Sequence, residues 1–398
     1  MNIRTFTLNK LIQYIILLAL LLTPIFSFYE VLALLTNTLI SQTEALTPVY
    51  IKILKDVSFA LLISLSIIQI LRKMRIKKYF IIPTVLAGII LLNICFSLLT
   101  DANYVLILAG IRWSIPILLP FFLIGIVDGE FMQKSTKILF PVFVLHLILQ
   151  IYQLFNMQFW FGINMFGLAA RTPGIFLIPN TAAFFTIFCW FFFNYYGKFA
   201  KRQIFFVHIV AGISILLTMS GTGIIVYVLL LCIAMLDRRY LRIVLPLFPI
   251  VIGFLLLMLS VVVGRGDDYV ETSGGTRIQI FVEELTSANL FASSFGIGTN
   301  TGVLLAGSNI GGREARIVDS TYASLIANTG LLGFALFIGA SILWLLNAFK
   351  INRQDVYSFT IICGLFGATT IIFEAYPMNL LYAVCLAHFL PFRKVMIS

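Results

Sequence analysis

The chain has 398 residues, of which 61% are hydrophobic and 11% are charged, with a formal net charge of +11. Soluble domains are about half apolar and about a quarter charged, so a soluble globular protein is excluded. Apolar runs of membrane-spanning length recur along the chain, and each must satisfy its own backbone as a helix. Segments such as IVLPLFPIVIGFLLLMLSVVVG are apolar on every face, which excludes a β-barrel. The sequence therefore predicts an all-α integral membrane protein.

The hydropathy predicts a polytopic bundle of about 12 transmembrane helices, with residues 1–398 forming a single membrane domain. The first run is expected to stay in the membrane as a span, because it has no small-residue cleavage site of a signal peptide. In chain order the predicted spans lie at 11–29, 50–71, 79–100, 104–126, 138–156, 174–196, 203–219, 222–236, 243–263, 320–346, 357–375 and 378–392.

Basic residues predict the orientation of these spans. Nineteen of the 27 Lys and Arg residues fall on alternate connectors. The positive-inside rule makes those connectors cytoplasmic and places both termini in the cytoplasm. The net positive charge is thus a topology signal, which leaves little support for nucleic-acid binding. The expected environment is a multi-pass location in a bilayer.

One outer connector is long enough to carry chemistry. It covers residues 265–318, between the ninth and tenth predicted spans, and a shorter outer connector covers residues 157–173. Long loops without a role are uncommon in compact proteins, and this one gathers many charged residues. We therefore expect the large outer loop to carry the functional site.

The loop contains the sequence TRIQIFVEEL, which predicts an amphipathic surface helix. Thr276 and Gln279 have capping-box spacing, so the helix is expected to start at Arg277. Apolar residues at helical spacing then form one face that could lie on the bundle: Ile278, Phe281, Val282 and Leu285. A cation in the first turn opposes the helix macrodipole, and a bound anion would remove that conflict. The alternative interpretation of Arg277 is snorkelling to lipid headgroups.

Other arginines are isolated in or beside apolar segments. Arg112 lies within the fourth predicted span, where it could face a cavity or form an ion pair with Asp101 or Glu374. Arg171 precedes the sixth span, in a stretch where Pro173, Gly174 and Pro179 can break the helix; its alternative role is headgroup anchoring. Three more arginines belong to the large loop: Arg265, Arg313 and Arg316. Arg313 and Arg316 are three residues apart and would lie on one face if their segment were helical.

Cysteine and histidine patterns predict neither a metal site nor another cofactor. All five cysteines fall within predicted spans, which favours small core residues over disulfides or zinc ligands. The three histidines also lie in spans and lack a second ligand at metal spacing: His146, His208 and His388. We expect each to be an interior histidine with hydrogen-bond partners.

Several motifs occur in a characteristic order. RTPGIFLIPNTAAF opens the sixth span, MSGTGI forms a tight outer turn, TRIQIFVEEL and FGIGTN lie in the large loop, and VDSTYASLIANTGLLGF enters the next span. Over roughly residues 100–375 this order resembles the O-antigen polymerase and O-antigen ligase superfamily. The resemblance implies a polytopic glycosyltransferase that uses undecaprenyl-diphosphate-linked sugars at the outer face of the bacterial cytoplasmic, or inner, membrane.

The resemblance also implies roles for particular residues. By motif position, Arg171 and Arg277 would hold the lipid diphosphate of the donor, so that catalysis needs no metal. Asp319 is the first candidate for the base that receives the acceptor's proton, with N-capping of the tenth span as its alternative role. Further candidates for the base are Glu271, Glu283 and Glu284, and expected substrate-binding residues are Arg112, Asn180, Arg265, Arg313 and Arg316.

Two features separate the possible functions. Ligases of the superfamily carry a histidine where the loop enters the next span, whereas this chain has Asp319 and Ser320 there and no histidine in the loop. A polymerase is therefore favoured over a ligase. A flippase or another transporter would need charges along a path through the spans and detectable inverted halves. The expected partners are a lipid-linked glycan donor and acceptor, together with a chain-length-regulating membrane protein and a flippase.

Overall fold

A computed structural model describes eleven segments of the chain, namely residues 3–36, 48–73, 81–99, 104–156, 167–236, 275–292, 295–299, 309–310, 313–314, 319–351 and 353–390. Apart from one β-hairpin, whose two strands have two residues each, the regular elements in these segments are all helices. Four helical stretches are long and apolar enough to cross a membrane: Tyr50–Leu71, Tyr104–Phe122, Gly129–Asn156 and Thr321–Trp344. The protein is therefore a helical membrane protein.

In chain order the helices are α1 (Ile3–Leu21), α2 (Thr23–Phe26), α3 (Phe28–Leu35), α4 (Val49–Lys73), α5 (Ile81–Leu99), α6 (Tyr104–Phe122), α7 (Gly129–Asn156), α8 (Pro179–Tyr196), α9 (Lys201–Thr218), α10 (Gly221–Leu236), α11 (Gly275–Ser287), α12 (Thr321–Ile351), α13 (Gln354–Thr369) and α14 (Met378–Phe389). The hairpin pairs β1 (Asn309–Ile310) with β2 (Arg313–Glu314). The predicted ninth span and half of the large loop, including Arg265, Glu271 and Arg316, lie outside the described residues, as does most of the 157–173 connector. The count of about 12 spans stays a prediction.

The first predicted span is not one continuous helix. Instead of one helix over 11–29, α1 ends at Leu21 and two short helices follow. Pro24 occupies the first turn of α2, where its missing amide hydrogen breaks no helical bond but prevents α1 from continuing. The hydroxyl of Thr23 donates to the carbonyl oxygen of Leu20 at 2.7 Å and satisfies one of the carbonyls at the end of α1.

The described residues divide into two compact units. The first draws on Met1–Phe80, Pro116–Tyr227 and Ala375–Ser398, and the second on Ile81–Ile115 and Val228–Glu374. Helix α8 forms the core of the first unit, because its Phe-rich sequence FFTIFCWFFF is buried along its whole length. A helix that is apolar on every face must be surrounded by other elements. It packs between α7 and α9 and also contacts α14.

Side-chain contacts show how the helices of the first unit alternate in direction. At one end, Gln153 near the end of α7 donates to the carbonyl oxygen of Gly174 just before α8, at 2.9 Å. Near the opposite end, Thr136 in the first half of α7 donates to the carbonyl oxygen of Phe192 near the end of α8, at 3.4 Å. Helices α7 and α8 therefore run antiparallel, as the alternating basic connectors require for these two spans.

In the second unit, α12 is the central element. It packs against α5, α11 and α13. Its helical geometry is interrupted at Gly330, whose φ of 66° and ψ of −175° mark a kink. The β-hairpin, which lies within the large loop, pairs Ile310 with Arg313. Arg313 thus lies in a strand. The condition under which it would share a helix face with Arg316, a helical segment, is not met at Arg313.

Cysteine labelling tests the predicted orientation. In a variant with all five native cysteines replaced by alanine, Ala200→Cys and Tyr240→Cys should react with a membrane-impermeant maleimide only after permeabilisation. Leu290→Cys should react in cells whose cytoplasmic membrane is intact, because its connector lies on the opposite side. The side chain of Leu290 is 59% exposed, so access in the folded protein is not limiting. Labelling of Leu290→Cys only after permeabilisation would reverse the orientation.

Candidate functional site

Residues 171–178, hereafter the entry segment, precede α8 and are not helical. Helix α8 begins at Pro179, five residues later than the predicted sixth span, and Gly174 has a φ of 63°. The predicted break around Pro173, Gly174 and Pro179 is therefore confirmed. Residues 172–176 are buried, so their peptide groups need partners within the protein.

Helix α7 supplies most of these partners. The side chain of Gln153 accepts from the amide of Gly174 at 2.7 Å and donates to the carbonyl oxygen of the same residue at 2.9 Å. His146 Nδ1 accepts from the amide of Ile175 at 3.3 Å, and Gln150 donates to the carbonyl oxygen of Thr172 at 3.1 Å. His146, Gln150 and Gln153 are four and three residues apart and thus lie on one face of α7. A Cβ on Gly174 would lie 2.3 Å from His146 Nδ1, so this contact requires glycine.

Helix α9 anchors the start of the entry segment. The amide and the hydroxyl of Thr172 both donate to the carbonyl oxygen of Leu217, at 2.8 and 3.0 Å. Ser214 donates to Gln150 Oε1 at 2.6 Å, and Thr186 in α8 lies 2.9 Å from the Ser214 hydroxyl. Helices α7, α8 and α9 are thus joined by one buried polar network.

Arg171 is the first residue of the entry segment and Asn180 is the second residue of α8, and both contact the tight turn after α9. The guanidinium of Arg171 donates to the carbonyl oxygen of Met219 at 3.4 Å. Met219 has a left-handed backbone, which ends α9. Ser220 donates to Asn180 Oδ1 at 2.9 Å and accepts from the amide of Gly223 at 3.2 Å, so it caps α10. The structure therefore brings these two predicted site residues together around one turn.

This arrangement has the chemistry of an anion site. The N-termini of α8 and α10 begin at the turn and entry segment that Arg171 and Asn180 contact, and a helix N-terminus favours negative charge. Arg171 adds a guanidinium, whose planar fork suits phosphate oxygens. Its half-buried position limits screening by solvent.

The second unit holds a comparable non-helical insertion, formed by residues 289–292 and 295–299 and hereafter called the inserted segment. Asn93 and Ser97 of α5 accept from the amides of Ala292 and Phe295, each at 2.7 Å. Asn328 Oδ1 of α12 accepts from the amides of Gly296 and Gly298, at 3.0 and 2.9 Å. Phe295, Gly296 and Gly298 of the FGIGTN motif are buried and held by helices, although they belong to the predicted loop.

Close backbone contacts explain two glycines near this segment. Gly296 has a φ of 98°, and a Cβ on it would lie 1.8 Å from the carbonyl oxygen of Leu106 in α6. At the Gly330 kink, the amides of Leu331 and Leu332 donate to the carbonyl oxygens of Asn289 and Leu290, at 3.0 and 3.2 Å. The kink thus frees amides of α12 to bind the inserted segment.

Helix α11 contains Arg277 but does not start where the capping box predicts. It begins at Gly275, so Thr276 is a helical residue and Arg277 is the third residue of the first turn. The predicted N-cap at Thr276 is therefore wrong. The side chain of Gln279 donates to Glu283 one turn later, at 2.8 Å. This i, i+4 contact takes the glutamine that the capping box needed.

The predicted apolar face of α11 is only partly buried. Phe281 packs edge-on against Phe334 of α12, with ring centroids 6.4 Å apart. Val282 and Leu285 remain 48% and 39% exposed. Helix α11 thus lies on α12 through one side and presents its remaining apolar side chains outward, as a helix at a membrane interface does.

The remaining candidates are placed as follows. Helix α12 begins at Thr321, so Ser320 occupies the N-cap position and Asp319 stands one residue before it with an exposed side chain. Arg112 is half-buried in α6. Its neighbour Trp113 packs edge-on against Phe373 at 5.6 Å, which brings the segments that carry Arg112 and Glu374 together.

Interior histidines are confirmed where their partners are described. His146 is fully buried, and its Nε2 lies 3.3 Å from the Thr186 hydroxyl. His208 Nδ1 accepts from the indole of Trp190 at 2.7 Å. Cysteines are less uniform than expected, since Cys95 and Cys232 are exposed. Within the part of the chain that the structure describes, no three His, Cys, Asp or Glu side chains form a group that could hold a metal ion.

Apart from His146, which was expected to be an interior histidine, the sequence interpretation missed the polar residues that hold the two segments. A signal was present, because polar side chains recur at helical spacing within predicted spans: His146, Gln150 and Gln153; Asn93 and Ser97; Ser324 and Asn328. Such rows in a membrane helix face other protein or water.

Comparison with known proteins gives no independent assignment, because no family model, no curated protein and no solved structure matches this chain.

Removing the two hydrogen bonds between the Gln153 side chain and Gly174 should destabilise the protein. In Gln153→Leu the amide and the carbonyl group of Gly174 both lose their partner, at about 1–3 kcal/mol for each buried group. We expect a lower apparent melting temperature of the purified protein in detergent. Asn156→Leu is the matched control, because Asn156 is exposed and donates only to the carbonyl oxygen of Tyr152 in its own helix. Equal melting temperatures for both variants would show that the hydrogen bonds of Gln153 do not hold the entry segment in place.

Proposed function

We propose that the protein is a polymerase that joins lipid-diphosphate-linked oligosaccharide repeat units into a polysaccharide, such as an O-antigen or a capsule. The observation that carries this proposal is the position of Arg171. Its guanidinium is held beside the turn and entry segment that precede two helix N-termini, within a buried and hydrogen-bonded backbone. Such a site suits the phosphates of a lipid carrier in the bilayer.

The proposed reaction transfers a growing glycan between two lipid carriers. A hydroxyl oxygen of the acceptor sugar attacks the anomeric carbon of the donor, and the bond between that carbon and the diphosphate oxygen breaks. The hydroxyl proton passes to a base, and the diphosphate leaves on its lipid. Negative charge grows on the leaving oxygen, and arginines can stabilise it in place of a metal.

Residues of the second unit have expected roles in this reaction. Arg277 in the first turn of α11 could contribute a second cation. Asp319 is exposed directly before α12, so a substrate hydroxyl could reach it as the base.

The proposed location is the bacterial cytoplasmic membrane, with both termini in the cytoplasm and the site at the outer face. This follows from the basic connectors, which alternate with the connectors that carry the entry segment and the large loop. The lipid-linked donor and acceptor are the proposed substrates. A flippase that delivers repeat units and a chain-length regulator are the proposed protein partners.

A ligase of the same fold is the second candidate. It would use the same lipid diphosphate donor and hence the same cations, but it would transfer the finished glycan to another acceptor. Asp319 and Ser320 stand where ligases carry a histidine, which favours the polymerase. A flippase is less well supported, because the charges that would line its path are concentrated in connectors.

Deleting the gene in a host that makes lipopolysaccharide O-antigen should separate these functions. Without a polymerase, single repeat units are still made, exported and ligated. We therefore expect lipopolysaccharide core that bears one repeat, seen as a single band on a gel. Bare core with accumulated lipid-linked polymer would instead identify a ligase, and single units left on the inner leaflet would identify a flippase.

Point variants should locate the cations and the base. Arg171→Ala and Arg277→Ala should each lower polymer formation by about 100-fold, the effect of removing one charge-stabilising donor. Lysine at either position should restore activity only in part, because it lacks the guanidinium fork. Asp319→Asn should also abolish polymer if Asp319 is the base.

Membrane insertion of each variant is checked by immunoblot. Arg202→Ala is the matched control, since Arg202 is exposed at the start of α9, the opposite end from the turn that contacts Arg171. Full-length polymer from Arg171→Ala and Arg277→Ala at normal protein levels would remove these residues from the site.

A further inference from the structure

Helix α3 lies along the entry segment. At the start of α3, the hydroxyl of Ser27 donates to the carbonyl oxygen of Ile175 at 2.7 Å. At its end, Leu34 packs with Ala169 in a buried apolar cluster. Ala169 comes two residues before Arg171, and Ile175 comes four residues after it. The two ends of α3 therefore contact the chain on either side of Arg171.

Tyr29 lies on the side of α3 that is opposite to the entry segment. Ser27, Val31 and Leu34 are four and three residues apart, so they share the face of α3 that contacts this segment. Tyr29 is two residues from both Ser27 and Val31, which places it on the other side of the helix. Its hydroxyl lies 2.9 Å from the hydroxyl of Tyr50, the second residue of α4.

The contact between the two hydroxyls restrains both tyrosine rings. Tyrosines that only anchor a helix at a membrane interface direct their hydroxyls to water and headgroups. Here the hydroxyls of Tyr29 and Tyr50 bind each other across α3 and α4. Phe28 packs edge-on against Tyr29 with ring centroids 5.7 Å apart. Phe28, Tyr29 and Tyr50 thus form one cluster, hereafter the aromatic surface, in which Phe28 is 52% and Tyr50 is 64% exposed.

The chemistry of the aromatic surface suits a sugar. Two tyrosine hydroxyls provide two donors, and the bond between them uses one, so one O–H and several oxygen lone pairs remain for a ligand. The C–H groups of a sugar ring carry slight positive charge and pack on the negative face of an aromatic ring. Sugar hydroxyls both donate and accept hydrogen bonds. Exposed ring area beside a pair of fixed hydroxyls therefore matches both parts of a sugar.

The position of the aromatic surface fits the glycan of the proposed substrate better than its diphosphate. Helix α3, which is about 10 Å across, separates this surface from the face that contacts the entry segment. In a lipid-linked repeat unit only the first sugar is bonded to the diphosphate. With the diphosphate at Arg171, the later sugars extend outward over a distance comparable to one helix diameter. They can reach the aromatic surface while the diphosphate stays in its site.

We propose that the aromatic surface binds sugar rings of the lipid-linked repeat unit, beyond the sugar that is bonded to the diphosphate. This inference rests on the proposed function, because the lipid-linked repeat unit is the substrate of that reaction. It adds recognition of the glycan to a site whose arginines bind the lipid diphosphate. Tyr29, Tyr50 and Arg171 all belong to the first unit.

Native mass spectrometry of the detergent-solubilised protein tests the proposal with two probes that share one lipid. The first probe is the lipid-linked repeat unit isolated from the producing host, and the second is undecaprenyl diphosphate, which has no sugar. Tyr50→Ala should raise the dissociation constant of the repeat unit by about tenfold, because it removes a ring face and a hydroxyl. It should change the dissociation constant of undecaprenyl diphosphate by less than about twofold.

Tyr50→Phe and Tyr104→Ala complete the series. Tyr50→Phe keeps the ring and should weaken binding of the repeat unit by about threefold, the usual effect of losing one neutral hydrogen bond. Tyr104 is the matched control, since it is 74% exposed and opens α6 on the predicted outer side, in the second unit. Tyr104→Ala should leave binding of both probes within about twofold.

Two results would overturn the proposal. The first is unchanged binding of the repeat unit by Tyr50→Ala. The second is equal weakening of both probes by Tyr50→Ala, which would make Tyr50 a contact of the lipid or of its headgroup region and not of the sugars. A normal melting temperature of Tyr50→Ala shows that weaker binding does not come from unfolding, and Tyr50→Phe replaces it if it fails to fold.

A polymerisation assay separates this inference from the proposed function. With purified lipid-linked repeat units, the native protein should form polymer, and Tyr50→Ala should raise KM more than it lowers kcat. Absence of polymer with the native protein, together with tighter binding of the repeat unit than of undecaprenyl diphosphate, would contradict the polymerase and leave the aromatic surface. Polymer formation with an unchanged KM in folded Tyr50→Ala would contradict only the aromatic surface.

Discussion

The structure depends on one constraint, the need to satisfy non-helical backbone inside an apolar helical bundle. Residues 172–176 of the entry segment are buried, where no bulk solvent can replace a missing hydrogen bond. The sequence meets this need with His146, Gln150 and Gln153 on one face of α7. Because these side chains bind peptide groups of the entry segment, they fix the path of the chain itself. The position of Arg171 follows from that path.

The second unit meets the same constraint with different residues. Asn93 and Ser97 satisfy two amides of the inserted segment, and Asn328 satisfies two more with a single oxygen. The Gly330 kink contributes amides that a regular helix would have used internally. A segment of the predicted loop is thereby built into the helices. Functional groups carried by such a segment are positioned by rigid neighbours, which is how precise sites are usually supported.

The sequence predicts those features that depend on local composition. Apolar length locates the helices, and proline and glycine predict the break before α8, although the predicted sixth span begins five residues before Pro179. Prediction from the sequence fails where two local partners compete for one side chain. The side chain of Gln279, for example, binds Glu283 and not the start of α11. Prediction also fails where the partner is distant in sequence. Asn93 and Ala292 are 199 residues apart, so the spacing of polar residues shows that a partner exists but does not identify it.

Arg171 obtains its position from the backbone beside it. Thr172 fixes that backbone twice to the carbonyl oxygen of Leu217, through its amide and through its hydroxyl. The Arg171 guanidinium donates to the carbonyl oxygen of Met219, in the turn that follows the same helix. A cation carried by such a fixed backbone needs little rearrangement to meet an anion, and this is the property that the proposed lipid-diphosphate site requires.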